Sequence, residues 1–377
     1  MQKFFWEVKI LKMQDCDYYM LRAIQLAKLG MGYTSPNPMV GCVIVNQDNK
    51  IIGEGWHKKF GGPHAEIEAI NNAHENNCDV RGSTVYVTLE PCSHYGKTPP
   101  CAKRLAQEGV SQVVIGMQDP NTLVNGQGIR ILEEAGIKVT FASEEINEQC
   151  KTLNKGFIFV HKYKRPFVTL KAAISLDGKM CLANGSSKWI TGEEARKEAH
   201  VMRSENDAVL VGVNTVIADD PELTVRHVKG VNPLRVVLDS KLRTPAEAKI
   251  IARDGKCLVI TGETADSERE KALIEAGARV ARLPEGLHNV LEYLASQGVL
   301  TLMTEGGAGV LSSFLREGLA DYAKFFIAPR IFGEGRGLDL AMNFPDVGKA
   351  LKLSGVKSKR LGDDFVIEGR LSCSLDL

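Results

Sequence analysis

The sequence predicts two α/β domains in tandem, and three observations carry that expectation. At 377 residues the chain is longer than one hydrophobic core ordinarily supports. Short runs rich in Val, Ile and Leu alternate with amphipathic segments through both halves, the pattern of strands crossed by helices. The pattern breaks at the basic stretch His161-Lys162-Tyr163-Lys164-Arg165-Pro166, read as a solvated connector that ends in a breaker. A boundary near residue 160 therefore divides the chain into a first domain over 13–160 and a second over 161–377.

Composition narrows the partners. A formal net charge of +1 with no long basic run argues against a nucleic-acid partner, because phosphate backbones are held by concentrated Lys and Arg. The nine cysteines are odd in number and lack the spacing of a disulfide framework, which points to a reduced, cytoplasmic setting. The opening Met1 to Met13 is apolar but interrupted by Lys3, Glu7, Lys9 and Lys12. It is too short and too charged to span a bilayer, has no small-residue cleavage site, and reads as an extension ahead of Met13. The expected partner is a small molecule, with no membrane involved; a homo-oligomer is left open.

In the first half, Asp17 to Gly30 is expected to be a helix with Met20, Leu21, Ile24 and Ala27 on one face, capped by Asp17 and ended by Gly30. The loop Thr34-Ser35-Pro36-Asn37-Pro38 presents Asn37 between two residues of fixed φ, though a plain turn reads equally well. Val40 to Val45 and Ile51 to Trp56 form a hairpin pattern, with His57 just beyond it. After Gly61-Gly62-Pro63 a helix runs from His64 to about Asn76, and Val85 to Leu89 is a strand delivering Cys92. Cys101 opens a further helix to Glu108. A strand at Gln112 to Gly116, a helix at Gly128 to Ala135, a strand at Ile137 to Phe141 and a helix within Ser143 to Lys155 complete the module.

Chemistry concentrates between Gly62 and Cys101. His64, a Glu two residues later and two downstream cysteines are the parts of a catalytic zinc site. His64, Cys92 and Cys101 would be the ligands, a water would take the fourth place, and Glu66 would carry protons rather than bind metal. Singly, these residues read as a cap, a solvated side chain or small core residues. In this order, at strand ends and helix starts, they read as a site. A thiolate at the start of a helix is favoured by the macrodipole.

His64-Ala65-Glu66 followed by Pro91-Cys92 resembles the cytidine-deaminase-like superfamily, in which two residues ordinarily separate the cysteines. Here eight intervene, from Ser93 to Pro100. With Thr88-Leu89-Glu90 before it, and Asp119-Pro120-Asn121 and Gly126-Gln127-Gly128 after it, the insertion resembles the deaminase half of the bifunctional deaminase/reductases of riboflavin biosynthesis. Thr122 departs from that family, which commonly has a second proline there. The resemblance implies deamination of a phosphorylated pyrimidine, 2,5-diamino-6-(5-phosphoribosylamino)pyrimidin-4-one. It also implies that Asn37, His57, His94 and Lys97 contact this substrate, a loop-surface role being the other reading.

In the second half, strands are expected at Phe167 to Leu170, Ala208 to Val213, Leu234 to Leu238, Cys257 to Thr261, Val299 to Thr304 and Ala323 to Ala328. Thr191-Gly192-Glu193-Glu194 reads as a capping box starting a helix to about Arg203. Thr304-Glu305-Gly306-Gly307-Ala308-Gly309 lies between a strand and a helix over Val310 to Glu317, the setting of a phosphate cradle. As a dinucleotide fingerprint it is imperfect, since Ser312 replaces the last glycine and no acidic residue stands about twenty positions on. A plain tight turn is the other reading, and the missing acid favours NADPH over NADH.

Lys171 to Gly178, Ser187 to Ile190 and Val211 to Pro221 resemble the reductase half of the same family, a domain similar in fold to dihydrofolate reductase that uses NADPH. The resemblance thus implies a cytidine-deaminase-like N-terminal domain plus a dihydrofolate-reductase-like C-terminal domain, with one zinc per chain and NADPH as cofactors. It implies that Ala173, Trp189, Thr215, Asp219 and the turn Gly307, Ala308, Gly309, Val310, Leu311, Ser312 and Ser313 line the cofactor site. Ser187, Arg203, Leu223, Arg226 and Glu305 would meet substrate, with Lys171 near the reacting sugar. Arg203 and Arg226 suit a 5′-phosphate because a guanidinium fork matches its geometry; surface ion pairing is the alternative. The implied reaction reduces C1′ of the ring-opened ribosylamino group, with Asp177, Asp219 or a water as proton donor.

Overall fold

The computed structural model describes residues 15–93, 95, 99–121, 125–373 and 375. The expectations for residues 1–13, His94, Lys97 and Thr122 fall outside that set. The chain divides into two compact units between Tyr163 and Lys164. No helix among the described residues is long and apolar enough to cross a membrane.

The first unit begins with α1 (Asp15–Ala27), which passes into a short 3-10 turn, Lys28–Gly30. Asp17 lies inside α1 rather than capping it, and its carboxylate accepts a hydrogen bond from Ser143 Oγ (3.0 Å). Strands β1 (Gly41–Val45), β2 (Ile51–Trp56), β3 (Thr84–Val87), β4 (Gln112–Ile115) and β5 (Lys138–Phe141) form a five-stranded sheet in the order β2-β1-β3-β4-β5. Helices α2 (Ala65–Glu75), α3 (Cys101–Glu108), α4 (Gln127–Glu134), α5 (Glu144–Leu153) and α6 (Lys155–Tyr163) complete it. Every residue of β1 is buried, and the strand pleat sends Cys42 and Ile44 to one core, Val43 and Val45 to the other. The first core packs α2, α3 and α4 and the second packs α1 and α5, so the sheet is covered on both faces. Only the second half of the basic stretch read as a connector joins the units: His161, Lys162 and Tyr163 form the last turn of α6, and the division falls between Tyr163 and Lys164.

In the second unit, β6 (Phe167–Ser175), β8 (Ala208–Gly212), β9 (Leu234–Leu238), β10 (Cys257–Thr261), β11 (Arg279–Arg282), β12 (Thr301–Thr304) and β13 (Tyr322–Ala328) pair in parallel. The hairpin of β15 (Leu353–Leu361) and β16 (Asp364–Leu371) extends this to nine strands, in the order β11-β10-β9-β8-β12-β6-β13-β16-β15. A small ribbon pairs β7 (Lys179–Leu182) with β14 (Gly335–Gly337). Helices α7 (Glu193–Ser204), α8 (Val213–Asp219), α9 (Ser267–Ala276), α10 (Leu287–Ser296) and α11 (Ala308–Arg316) cover the two faces. β6 runs five residues beyond Leu170, so that Lys171 and Ala173 sit on the strand, paired with Lys324 and Phe326 of β13. The capping box at Thr191 does not form. Gly192 is the N-cap of α7, and its N–H donates to Asp364 Oδ2 (2.7 Å), so a distant carboxylate fixes this helix start.

Candidate active sites

The first site lies where the starts of α2 and α3 meet the chain leaving β3. His64 is the N-cap residue of α2, in extended conformation, and Glu66 is in the first turn. Cys101 is the first residue of α3. His64 Nδ1 lies 3.5 Å from Cys92 Sγ and 3.3 Å from Cys101 Sγ. All three ligand atoms fall within 4.8 Å of one another. A tetrahedral zinc with ordinary Zn–N and Zn–S bonds sets its nitrogen and sulfur ligands about 3.5 Å apart, so this donor set fits zinc in both chemistry and spacing.

Without a metal the three ligand groups share protons among themselves, and a bound cation would displace those protons. The hydrogen bond with Cys101, opposed by burial and helped by His64, holds the Cys92 thiol far below its usual range, to about 4. Cys101 is pushed up by the same hydrogen bond. The bond to Cys92 raises His64 to about 9. Glu66 is buried, 3% exposed, and burial raises its carboxyl to about 7. A carboxyl in that range exchanges protons readily at neutral pH.

Asn37 and His57 are brought beside these groups. His57 Nδ1 faces the Pro63 carbonyl at 2.9 Å, and a carbonyl only accepts, so Nδ1 carries the proton. Nε2 then accepts from Asn37 Nδ2 at 3.1 Å. Burial lowers the pKa of His57, and its ring stands edge-on to His64 with centroids 5.6 Å apart.

A support that residue-type reasoning missed holds Cys92. The buried carboxylate of Glu90 accepts the backbone N–H groups of Asp119 (3.3 Å), Gly126 (3.2 Å) and Gly128 (3.1 Å). A Cβ on Gly128 would stand 2.0 Å from the Pro91 carbonyl oxygen. Only glycine lets α4 approach the backbone just before Cys92 so closely.

The second site is a cleft of about 1020 Å³ in the second unit, walled by the C-terminal ends of β8, β9 and β12 and the starts of α8 and α11. Ligands bind at that edge of a parallel sheet, and the volume is at the upper end for small-molecule sites. Lys171, Ser187, Arg203, Leu223, Arg226 and Glu305 all line it, as do Ala173, Trp189, Thr215, Asp219 and Gly307 to Val310. Gly306 is needed because a Cβ there would meet Val310 Cβ at 2.7 Å, and Thr215 Oγ1 accepts the Gly307 N–H (3.2 Å). Leu311, Ser312 and Ser313 lie off the cleft. Leu311 and Ser312 are buried, Ser312 Oγ accepts from Asp339 N (3.0 Å), and Ser313 Oγ accepts from Arg316 (3.1 Å). Because α11 starts at Ala308, only its first turn faces the cavity.

Charge in the cleft is organised by Glu305. Arg203 donates to it twice (Nε to Oε1, 2.5 Å; Nη2 to Oε2, 3.0 Å), and Lys171 Nζ is 3.5 Å away. Burial would push Glu305 up, but Arg203 and then Lys171 outweigh it and hold the carboxyl down to about 2. Arg203 Nη1 also donates to the Thr224 carbonyl (3.2 Å), so its guanidinium is committed to protein, whereas Arg226 is half-exposed and paired with Glu222. Asp219 accepts from Ser187 Oγ (3.3 Å). Asp177 does not line the cleft. It accepts from Ser175 Oγ (2.6 Å), Phe332 N (3.0 Å) and Gly333 N (2.9 Å), which hold it at about 2, so it has no proton to give at neutral pH. The sequence reading also passed over Ser240, Arg243 and Lys249, which line the cleft beyond β9. Their place just past the end of a parallel strand was a usable signal.

Comparison with known proteins identifies both domains. A family model described as "RibD C-terminal domain" matches residues 166–367, and one described as "Cytidine and deoxycytidylate deaminase zinc-binding region" matches residues 13–117. The chain is 44% identical to the riboflavin biosynthesis protein RibD of Aquifex aeolicus, over 93% of this chain and 96% of that protein. It is 41% identical to RibD of Bacillus amyloliquefaciens, over 92% and 98%. Among solved structures, the deaminase/reductase of Thermotoga maritima superposes with a TM-score of 0.84 at 38% identity, covering 94% of this chain and 98% of that one. Acinetobacter baumannii RibD gives 0.85 at 38% identity, covering 95% and 99%. The chain belongs to the RibD family, the bifunctional enzymes of riboflavin biosynthesis that deaminate a pyrimidine and then reduce the product with NADPH.

Proposed function

We propose that His64, Cys92 and Cys101 hold one zinc ion, that Glu66 is the proton carrier of the deamination, and that the second cleft binds NADPH together with the deaminated product. The observation that carries this reading is the pair of nitrogen–sulfur spacings, 3.3 and 3.5 Å, with buried Glu66 one turn into the helix that His64 caps. Bound there, zinc would supply the Lewis acidity that makes a water nucleophilic at neutral pH. Glu66 would pass one proton from the attacking water to the ring nitrogen, and then pass the proton of the newly added hydroxyl to the departing amine, which leaves as ammonia. Asn37 and His57 form one wall, and the Nδ1–H bond to Pro63 keeps the His57 tautomer fixed. The substrate is taken to be 2,5-diamino-6-(5-phosphoribosylamino)pyrimidin-4-one.

In the second cleft, Gly306 to Val310 and Thr215 would hold the cofactor, with the start of α11 turned toward its phosphates. NADPH would supply the reducing equivalent. Arg226 and its neighbours meet the substrate phosphate, and Glu305 keeps the Lys171 ammonium beside the reacting sugar, which makes Lys171 the proton donor in preference to Asp177. The enzyme is read as cytoplasmic, acting on a diffusing substrate.

The test is to supply the purified, zinc-loaded protein with the diaminopyrimidinone phosphate, with and without NADPH. Ammonia should appear in both, and NADPH should be consumed only after ammonia is released. No ammonia from protein shown to hold zinc would overturn the deaminase assignment, and NADPH consumption without ammonia would overturn the order.

A further inference from the structure

Residues 187–191 form one lip of the second cleft, and Trp189 lines the cavity although its side chain is 64% exposed. So exposed an indole is not held by core packing; it is held by contacts on two sides. On one side Ser187 Oγ donates to Asp219 Oδ1 (3.3 Å) and Lys188 Nζ donates to the Asp219 carbonyl (2.8 Å), at the end of α8. On the other, the Arg196 guanidinium lies 4.7 Å from the centre of the Trp189 ring, and its Nη1 donates to the Thr191 carbonyl (2.9 Å). Arg196 projects from the first turn of α7, so a rigid helix grips the lip at the ring and at the backbone that follows it. Among the described residues Arg196 makes no salt bridge to a carboxylate, which leaves these two contacts to fix it.

We propose that Arg196 is a positioning residue for the reduction, holding the Trp189 indole as a wall against which the nucleotide binds. A planar guanidinium can stack on an indole face while one of its N–H groups bonds a carbonyl, and an ammonium cannot do both in the same way. Without Arg196 the indole is free to leave the wall, and the nucleotide must order it on binding. A cation–π contact at an exposed site sets the expected loss at about two- to five-fold in NADPH affinity. Chemistry at the substrate is not touched by this contact, so the effect belongs in KM for NADPH more than in kcat. This inference rests on the reading that the cleft takes NADPH.

The experiment measures NADPH binding to full-length, zinc-loaded enzyme through the emission of NADPH itself, with steady-state kinetics alongside. The proteins are the unsubstituted enzyme, Arg196→Ala, Arg196→Lys, Trp189→Leu and the Arg196→Ala/Trp189→Leu pair. Arg196→Ala and Arg196→Lys should each weaken binding about two- to five-fold with kcat nearly kept, and Arg196→Ala should cost nothing further once Trp189 is Leu. Unchanged affinity in Arg196→Ala overturns the proposal. So does a penalty that persists in full in the Trp189→Leu background, because Arg196 would then be touching the nucleotide directly. If Arg196→Ala does not fold, Arg196→Lys carries the same comparison, and full affinity with Lys refutes it. Failure of the unsubstituted enzyme to bind NADPH would instead refute the cleft assignment on which the proposal stands.

Discussion

Replacing Glu305 by Gln removes the one carboxylate that two cations of the cleft share. Its side chain is 7% exposed, against 12% for Arg203 and 18% for Lys171, so solvent screening is slight. A carboxyl held at about 2 instead of 4.5 stabilises the folded state by about 3 kcal/mol at neutral pH. Removing one partner of a buried ion pair costs about 3–5 kcal/mol, so two independent routes agree on the size of the effect. Because the folded pKa is depressed, the contribution is complete above 4.5 and is lost as pH falls from there through about 2. Urea unfolding, followed on the emission of Trp189 in a chain whose Trp6 and Trp56 are replaced by Phe, reads the second unit alone. Glu305→Gln should lower stability by about 3 kcal/mol at neutral pH, and the gap should close progressively below about pH 4.5. A loss below about 1 kcal/mol, or a gap that stays constant as the pH is lowered, would refute the shared-carboxylate account.

Three other outcomes are expected. Glu66→Gln should retain zinc by metal analysis, abolish ammonia release and leave reduction of supplied deaminated product intact; loss of the reductase activity would mean the sites are not separate. Gly128→Ala places a Cβ 2.0 Å from the Pro91 carbonyl oxygen, so the backbone before Cys92 must move. Overpacking of this kind costs about 1–3 kcal/mol, and zinc retention and deamination should fall together while NADPH oxidation with supplied deaminated product is spared; a fully zinc-loaded, active variant would contradict the cradle. NADPH should exceed NADH in kcat/KM by at least about ten-fold, since Arg243 and Lys249 line the cleft and no acidic residue stands about twenty positions after the glycine turn to hold a bare ribose. Equal values would remove that argument.

How far the molecule was legible before its structure depended on where each feature keeps its partners. The zinc triad was readable because metal chemistry restricts ligands to a few residue types, and His64, Cys92 and Cys101 carry that restriction on their side chains. Glu90, which supports the same site, was not read, because its partners are backbone N–H groups of a loop that any sequence could supply. The inner parallel strands showed as apolar runs since both their faces are buried, whereas the edge strand β11, Arg279–Arg282, gave no such run and was not expected. By contrast β15, exposed from Ser354 to Arg360, has no core-facing alternation to announce it. Leu311 to Ser313 were carried over to the cofactor site by the family resemblance; successive helical residues rotate by about 100°, which turns the side chains of Leu311 and Ser312 into the core, while Ser313 Oγ pairs with Arg316. Arg203 illustrates the deeper limit. It was read as a clamp for the substrate phosphate, but it sits on α7 and is bound to Glu305, which lies just past the end of β12, 102 residues on, and local spacing holds no trace of that pairing. Residue chemistry therefore located the sites, while the division of labour inside them, with Arg203 bound to Glu305 and Arg226 left half-exposed, had to come from the topology that brings β12 beside β8.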